Sequence, residues 1–403
     1  MPSATVLIVD DEAQVRWSLR ERLNVDGYDV LEAGLASEAL ERLQAIESID
    51  LVLLDSKLPD GDGLTVVKRI KDVSPEIQVI LTNASPAVDT AVEAMKLGAY
   101  HYVNKPFNLD EVAMLVEKAL ETSALRREVR ALQGSQVREY AFDAIIGSSP
   151  AVQTLKATLG RVARGSAPAV LLTGETGTGK GFAAKTIHYN SDRAEAPFAT
   201  IAMSALSEHL LESELFGHER GAFTGARLKR GLLETSAGGT VFFDEIGEMT
   251  AGLQARLLRV LDEKAFRRVG GLTDLRADVR VIAAASRNLE QDVSGGTFRE
   301  DLLYRLQLTP VALPPLRERQ GDIPVLAAYY VDLFNRELAR HVRGVSPDAL
   351  RMLEQHQWPG NVRELRNAIE RAMLLADHEW LQPGDFTTLS RPVTLAAKGE
   401  SYG

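Results

Sequence analysis

The sequence predicts two successive α/β domains: a doubly wound parallel sheet, then a phosphate-loop nucleotide-binding sheet. Three observations carry this reading. Short apolar runs alternate with amphipathic segments over residues 5–120. A later apolar run, Ala169–Thr173, opens directly onto Gly174-Glu175-Thr176-Gly177-Thr178-Gly179-Lys180. Another, Thr240–Phe243, ends on Asp244-Glu245. Strands that alternate with helices form parallel sheets, because each parallel connection needs a crossover long enough to hold a helix.

At 403 residues the chain has room for two or three domains, and 45% apolar with 25% charged residues is an ordinary globular composition. No apolar run reaches the roughly 18 residues of a membrane span, and Asp10-Asp11 arrives before a secretory core could form. The lack of cysteine excludes disulfides, thiolate metal sites and thiol catalysis, so a cytoplasmic location is the simplest expectation. Residues 1–120 hold 21 acidic against 11 basic side chains, and the remainder holds 35 against 35. That distribution argues against extensive nonspecific DNA binding, which rests on a basic footprint.

In the first domain the expected strands are Val6–Val9, Leu51–Leu54, Ile77–Thr82 and Tyr100–Val103, with a weaker one over Tyr28–Glu32. Ligands of such sheets sit at the carboxyl ends of the strands. Asp10 and Asp11 follow the first strand, Asp55 the third, and Lys105 the fifth. Any one of these could be a solvated loop side chain; four at matching strand ends point to a site. Three carboxylates and an ammonium suit a hard Mg²⁺ ion and a phosphorylated aspartate. Asp10 and Asp11, with Asp55, would hold the metal, Asp55 would be the nucleophile, and Lys105 would pair with the phosphoryl group. With Leu58-Pro59-Asp60-Gly61-Asp62-Gly63 and Lys105-Pro106-Phe107, the segment resembles response-regulator receiver domains. The resemblance implies a flavodoxin-like fold and a sensor histidine kinase as partner. In one place the chain departs from it: Asn83 stands where receivers carry Thr or Ser, followed by the small Ala84, while Thr82 points to the opposite face. In the family that hydroxyl bonds the phosphoryl group and draws an aromatic inward, here Tyr102. An Asn amide can still donate, but it is bulkier.

Val112, Leu115, Ala119, Thr122, Leu125, Val129 and Leu132 recur at spacings of three or four, and Gly134-Ser135 is expected to interrupt the helix they mark. The stripe is either a helix packing on its own domain or a dimerising linker through about Gln133.

In the second domain, the glycines of residues 174–180 expose backbone N–H groups, the following helix N-terminus favours anions, and Lys180 reaches terminal phosphates. Gly181 replaces the Ser or Thr that usually ends the motif, which removes a hydroxyl ligand for Mg²⁺. Asp244 is placed to hold Mg²⁺, directly or through water, and Glu245 to orient or deprotonate the attacking water. Phosphoryl transfer needs mainly such positioning and charge neutralisation.

Between these two halves of an ATP site lies Gly221-Ala222-Phe223-Thr224-Gly225-Ala226. Gly221 and Gly225 permit backbone angles closed to other residues, and Phe223 offers a large apolar contact at the tip. A glycine-bounded turn with Phe223 in the core is the alternative. In this context the hexapeptide resembles the loop with which bacterial enhancer-binding proteins, the NtrC-like AAA+ activators, touch sigma-54. Phe298-Arg299-Glu300-Asp301-Leu302-Leu303-Tyr304-Arg305-Leu306 and Trp358-Pro359-Gly360-Asn361-Val362-Arg363-Glu364-Leu365 extend the resemblance over nearly all of residues 141–385. It implies that Arg299 and Arg305 reach the ATP of a neighbouring subunit and that Arg363 is a nucleotide sensor. In that family the position of Gly181 is commonly acidic.

The resemblance also exposes two further departures. Ala202 stands where the family has an Asn that holds the catalytic Glu, and Ser286 falls at the first sensor position, often Asn or His. On that basis ATP binding should survive better than coupled hydrolysis, and Ala202→Asn should raise turnover or sharpen nucleotide-dependent sigma-54 binding.

The expected organisation is a receiver over 1–120, a helical linker over 121–140, an ATPase subdomain over 141–312, a helical lid over 313–385 and a polar tail over 386–403. Family members usually continue into a DNA-binding helix-turn-helix, and residues 386–403 have neither its length nor its basic character. The family resemblance implies a response regulator whose Asp55 phosphorylation turns a dimer into a ring, a hexamer or similar, that spends ATP to remodel sigma-54 RNA polymerase holoenzyme. The alternative is a nucleotide-gated binding protein, contacting sigma-54 or sister activators with little turnover.

Overall fold

The computed structural model describes residues 4–45, 49–84, 88–223 and 226–386. The chain divides into two compact units, Met1–Gly134 and Ser135–Gly403.

The first unit carries β1 (Thr5–Val9), α1 (Ala13–Val25), β2 (Asp29–Ala33), α2 (Ala36–Ala45) and β3 (Ile49–Asp55). It continues with α3 (Gly63–Val73), β4 (Gln78–Asn83), α4 (Val88–Lys96), β5 (His101–Asn104) and α5, which starts at Leu109. All five expected strands are present, in the parallel order β2-β1-β3-β4-β5. Their apolar runs are nearly continuous because both faces are covered. Val6, Ile8, Leu51, Leu53 and Ile80 pack with Leu19, Val112 and Val116 on one side. Leu7, Val9, Val52, Leu54 and Leu81 pack with Ala39, Val66 and Ile70 on the other. Side chains one residue apart take opposite faces, and this places Asp10 and Asp55 just past the buried runs.

The expected break at Gly134-Ser135 is not there: α5 is a single helix from Leu109 to Glu139. One glycine inside a helix costs only about 1 kcal/mol relative to alanine, and good helix formers flank this one. The apolar stripe splits along its length. Val112, Ala119 and the neighbouring Val116 are buried in the receiver core, and Ser123 anchors the helix by accepting from Gln78 Nε2 and donating to the Glu76 carbonyl. Further on, Leu125 and Val129 are 56% and 52% exposed. The side chain of Leu132 lies outside the described residues.

The second unit is an α/β sheet with a helical lid. Its elements are α6 (Pro150–Arg164), β6 (Ala169–Thr173), α7 (Lys180–Tyr189), β7 (Phe198–Ala202), α8 (Glu208–Phe216) and β8 (Thr240–Asp244). Then come α9 (Ala251–Glu263), β9 (Arg280–Ala285), α10 (Leu289–Ser294), α11 (Glu300–Leu306) and β10 (Pro310–Ala312). The parallel order is β10-β6-β9-β8-β7, which sets the strand carrying the phosphate loop two places from the strand ending in Asp244. Val241, Phe243, Val281 and Ala283 fill one side of the sheet; Val170, Leu172, Phe242 and Ile282 fill the other. The lid is α12 (Ile323–Glu337), α13 (Pro347–Gln355) and α14 (Asn361–Leu375), packed around the fully buried Trp358. Phe386, one residue past the expected lid boundary, belongs to this core, and the remainder of the expected tail, 387–403, lies outside the described residues. No helix among the described residues is long and apolar enough to cross a membrane.

Candidate functional site

In the receiver, Asp10, Asp11 and Asp55 each place a carboxylate oxygen within 4.8 Å of the others. All three offer hard oxygen ligands at one strand edge, a set that fits Mg²⁺. Lys105 Nζ lies 2.7 Å from Asp10 and 2.5 Å from Asp55. Burial pushes the Asp10 carboxyl above its ordinary range, against the hydrogen bond from Lys105. Burial would lower the Lys105 ammonium, but its bonds to Asp10 and Asp55 raise it instead. The carboxylate cluster and its counter-charge are therefore assembled on one edge, as the strand ends implied. Asn83 is buried, and its amide Nδ2 donates to the Tyr102 hydroxyl at 2.8 Å. Thr82 faces the other way, donating to the Leu54 carbonyl.

In the second unit the chain turns from β6 into α7 through Gly174, Gly177 and Gly179, all with positive φ. Gly177 is required by crowding as well: a Cβ there would lie 2.1 Å from the Gly360 carbonyl of the lid. Lys180 opens α7 and donates to the Gly174 carbonyl at 2.8 Å and to that of Glu175 at 3.3 Å. Its ammonium also lies 3.7 Å from Glu245. Burial holds it below its ordinary value, partly offset by Glu245 and Asp244. Asp244 is raised by burial and then by the adjacent Glu245. A buried Asp244 with a second carboxylate beside it fits a cation held between the pair and a phosphate chain. A side chain at Gly181 would make only ordinary contact with Phe242, so its replacement of a hydroxyl does not reflect crowding.

A cleft of about 530 Å³ runs from Thr176–Gly181, Asp244 and Glu245 to an apolar wall that includes Ile145, Ile146, Leu326 and Tyr330, with Arg363 on the lid side. The buried Asp322 fixes the start of this wall, accepting from the Ser148 and Ser149 N–H groups and the Ser149 hydroxyl at 2.6–2.8 Å. Arg319, also buried, pairs with it at 3.3 Å.

Two contacts at the loop had no role assigned from sequence. Arg317 donates twice to Glu175, at 2.6 and 2.8 Å, and Asn361 Nδ2 donates to Glu175 at 3.1 Å and to the Thr176 carbonyl at 3.0 Å. The Arg317 and Asn361 bonds hold the Glu175 carboxyl down at about 2. Asn361 adopts φ 52° and is fully buried, an unusual setting for that residue that only the folded chain reveals.

Glu245 also has a left-handed backbone, φ 55°. Its Oε2 accepts from the Ser286 N–H at 3.1 Å and from the Ser286 hydroxyl at 2.6 Å. Ala202 pairs with Asp244 in the sheet and has no side-chain donor. Arg299 caps α11 and pairs with Asp301 at 2.7 Å; Arg305, on the same helix, pairs with Asp262. Neither arginine is among the residues lining the cleft.

Of the hexapeptide, Thr224 and Gly225 lie outside the described residues. The Gly221 N–H donates to the Ala226 carbonyl at 3.2 Å, and the Ala226 N–H to the Phe223 carbonyl at 3.0 Å. Phe223 is 54% exposed, its ring 4.8 Å from that of His218, so it is not a core residue. Ala222 packs near Gly270, where a Cβ would meet it at 3.0 Å. The base of the loop is tied down by Arg268, which bonds Glu219 at 2.8 Å and Glu234 at 2.8 Å.

A receiver with its acidic cluster, followed along the chain by a phosphate-loop fold with a helical lid, defines a signal-receiving nucleotide-dependent regulator. Residues 6–117 match the response regulator receiver domain, 145–312 the sigma-54 interaction domain, and 317–398 the AAA+ ATPase lid domain. The chain belongs to the sigma-54-interacting response regulators. It is 43% identical to the regulatory protein AtoC of Escherichia coli K12 over 92% of this chain and 80% of that one. Against the DNA-binding transcriptional regulator NtrC of the same organism it is 42% identical, covering 93% of this chain and 79% of NtrC. The structure of NtrX from Brucella abortus in complex with ATP is similar, with TM-score 0.68 and 36% identity over 98% of this chain and 88% of that one.

Proposed function

We propose that this protein is an ATP-driven activator of sigma-54 RNA polymerase, switched by phosphorylation of Asp55. One observation carries the reading: Lys180, Asp244 and Glu245 converge on the phosphate loop in a single cleft, while Phe223 stands exposed on a braced loop of the same unit. Residues 174–181 cradle the phosphates of ATP, the apolar wall takes the base, and Arg363 senses the nucleotide from the lid. Asp244 here, and Asp10, Asp11 and Asp55 in the receiver, would hold Mg²⁺, which would supply charge neutralisation. Glu245 orients the water whose oxygen bonds to the γ-phosphorus; the bond to the β-bridging oxygen breaks, ADP leaves with that electron pair, and the water proton passes to the phosphate product. Arg299 and Arg305, exposed on α11, complete the site of a neighbouring subunit in a ring, and residues 221–226 carry the stroke to sigma-54. The division into receiver 1–120, linker 121–140, ATPase subdomain 141–312 and lid 313–385 belongs to this proposal, as do a cytoplasmic setting and a partner histidine kinase.

Steady-state ATP hydrolysis against protein concentration, with and without beryllofluoride, tests it. The expected result is a specific activity that rises with concentration, rises further with beryllofluoride, and falls by about 1000-fold or more in Arg299→Ala, the usual range for an arginine finger. ATP binding with no hydrolysis under either condition would instead identify a nucleotide-gated binding protein.

A further inference from the structure

Resting on the ATPase reading above, we infer that Ser286 is the positioning residue for Glu245, taking over a task that Ala202 is chemically unable to perform. Glu245 leaves β8 on a left-handed backbone, which aims its carboxylate away from the strand direction. Oε2 receives both donors of Ser286, the N–H and the hydroxyl, while Oε1 faces Lys180 at 3.7 Å. Ala202 is the register partner of Asp244 on the neighbouring strand, and its methyl group donates nothing.

Ser286 is itself rigidly placed. It follows Ala285, the last residue of β9, whose carbonyl accepts from the Gly174 N–H at 3.3 Å. The phosphate loop and the Glu245 holder are thus joined through one peptide. On the far side, Arg287 donates to the Gly247 carbonyl and pairs with Glu248 at 3.3 Å and Asp292 at 2.7 Å. Residues 286 and 287 therefore grip both ends of the turn that begins at Glu245.

Two donors on one carboxylate oxygen fix where the group points. Phosphoryl transfer proceeds through a loose transition state in which positioning of the water outweighs base strength. Orientation is the larger effect, so removing the hydroxyl slows turnover.

The test uses the full chain and compares Ser286→Ala with Ser286→Thr, which keeps a hydroxyl. Ser286→Ala is expected to lower kcat about tenfold with the ATP dissociation constant changed by less than about twofold, and Ser286→Thr to recover at least about half of wild-type kcat. Thermal unfolding of both variants should match wild type. Unchanged or faster turnover in Ser286→Ala would overturn the inference, as would a loss of kcat shared equally by Ser286→Thr. Wild-type protein that binds ATP without hydrolysing it would overturn the ATPase reading itself, and this inference with it, so the two failures are distinguished by the wild-type measurement.

Discussion

Glu245 shows how one side chain's task depends on neighbours far away in sequence. With Ser286 already supplying two hydrogen bonds, Ala202→Asn adds a third donor to an occupied carboxylate. Its turnover is expected to rise less than about threefold alone, and by more in the Ser286→Ala background, because coupled neighbours are not additive. Steady-state kcat for the double-mutant cycle checks this. Phe223 is exposed and contributes no core packing, so Phe223→Ala should leave ATP hydrolysis within about twofold and unfolding within about 0.5 kcal/mol. Sigma-54 pull-down in the presence of a transition-state analogue should be lost in the same variant; retained binding would remove residues 221–226 as the contact. Glu175 gives a pH prediction. Its hydrogen bonds from Arg317 and Asn361 depress its pKa to about 2 from 4.5, so its stabilisation is fully present above 4.5 and is lost as pH falls towards 2. The pair is partly exposed, so solvent screening keeps its contribution small. Between pH 5 and pH 2 the stability difference between wild type and Glu175→Gln should shrink in urea unfolding.

At the scale of elements, α5 is one continuous helix whose successive parts meet different surroundings. Its first half is a receiver core helix through Val112, Val116 and Ala119, and its later part exposes Leu125 and Val129. Exposed apolar residues four apart on a helix suit a self-complementary seam. Leu125→Lys combined with Val129→Lys should convert a dimeric fragment 1–139 to monomer in light scattering at high concentration. A fragment that is monomeric without the substitutions would sink the dimer. Gly134 lies inside the helix with open space around it, so Gly134→Ala should stabilise by about 0.5–1 kcal/mol, read in thermal unfolding. The periodicity of α5 was legible in the sequence, but its continuity was not: a lone glycine looks like a stop, yet its cost is smaller than what the flanking turns supply. The strands were read more securely, because runs buried on both faces leave a continuous apolar signature, as Val6–Val9 and Leu51–Leu54 do.

Across the whole molecule, the sequence by itself determined the two α/β units, the phosphate loop, the acidic strand ends and the hexapeptide. Each of these is written in a short contiguous segment whose local chemistry suffices: glycines before a lysine, acids after an apolar run, glycines around an aromatic. Tertiary structure alone decided what holds those segments in place. Asn361 and Arg317 reach Glu175 from 186 and 142 residues away. Ser286 reaches Glu245 from 41 residues away, and Arg268 reaches Glu219 from 49. Such contacts arise when parallel crossovers bring distant strand ends and the lid together, and no local spacing encodes them. Ala202 and Ser286 looked from sequence like two separate losses. Folding places Ser286 against the carboxylate that Ala202 leaves unsupported, because their strands flank β8 on opposite sides. A donor lost from one neighbour is supplied by the other.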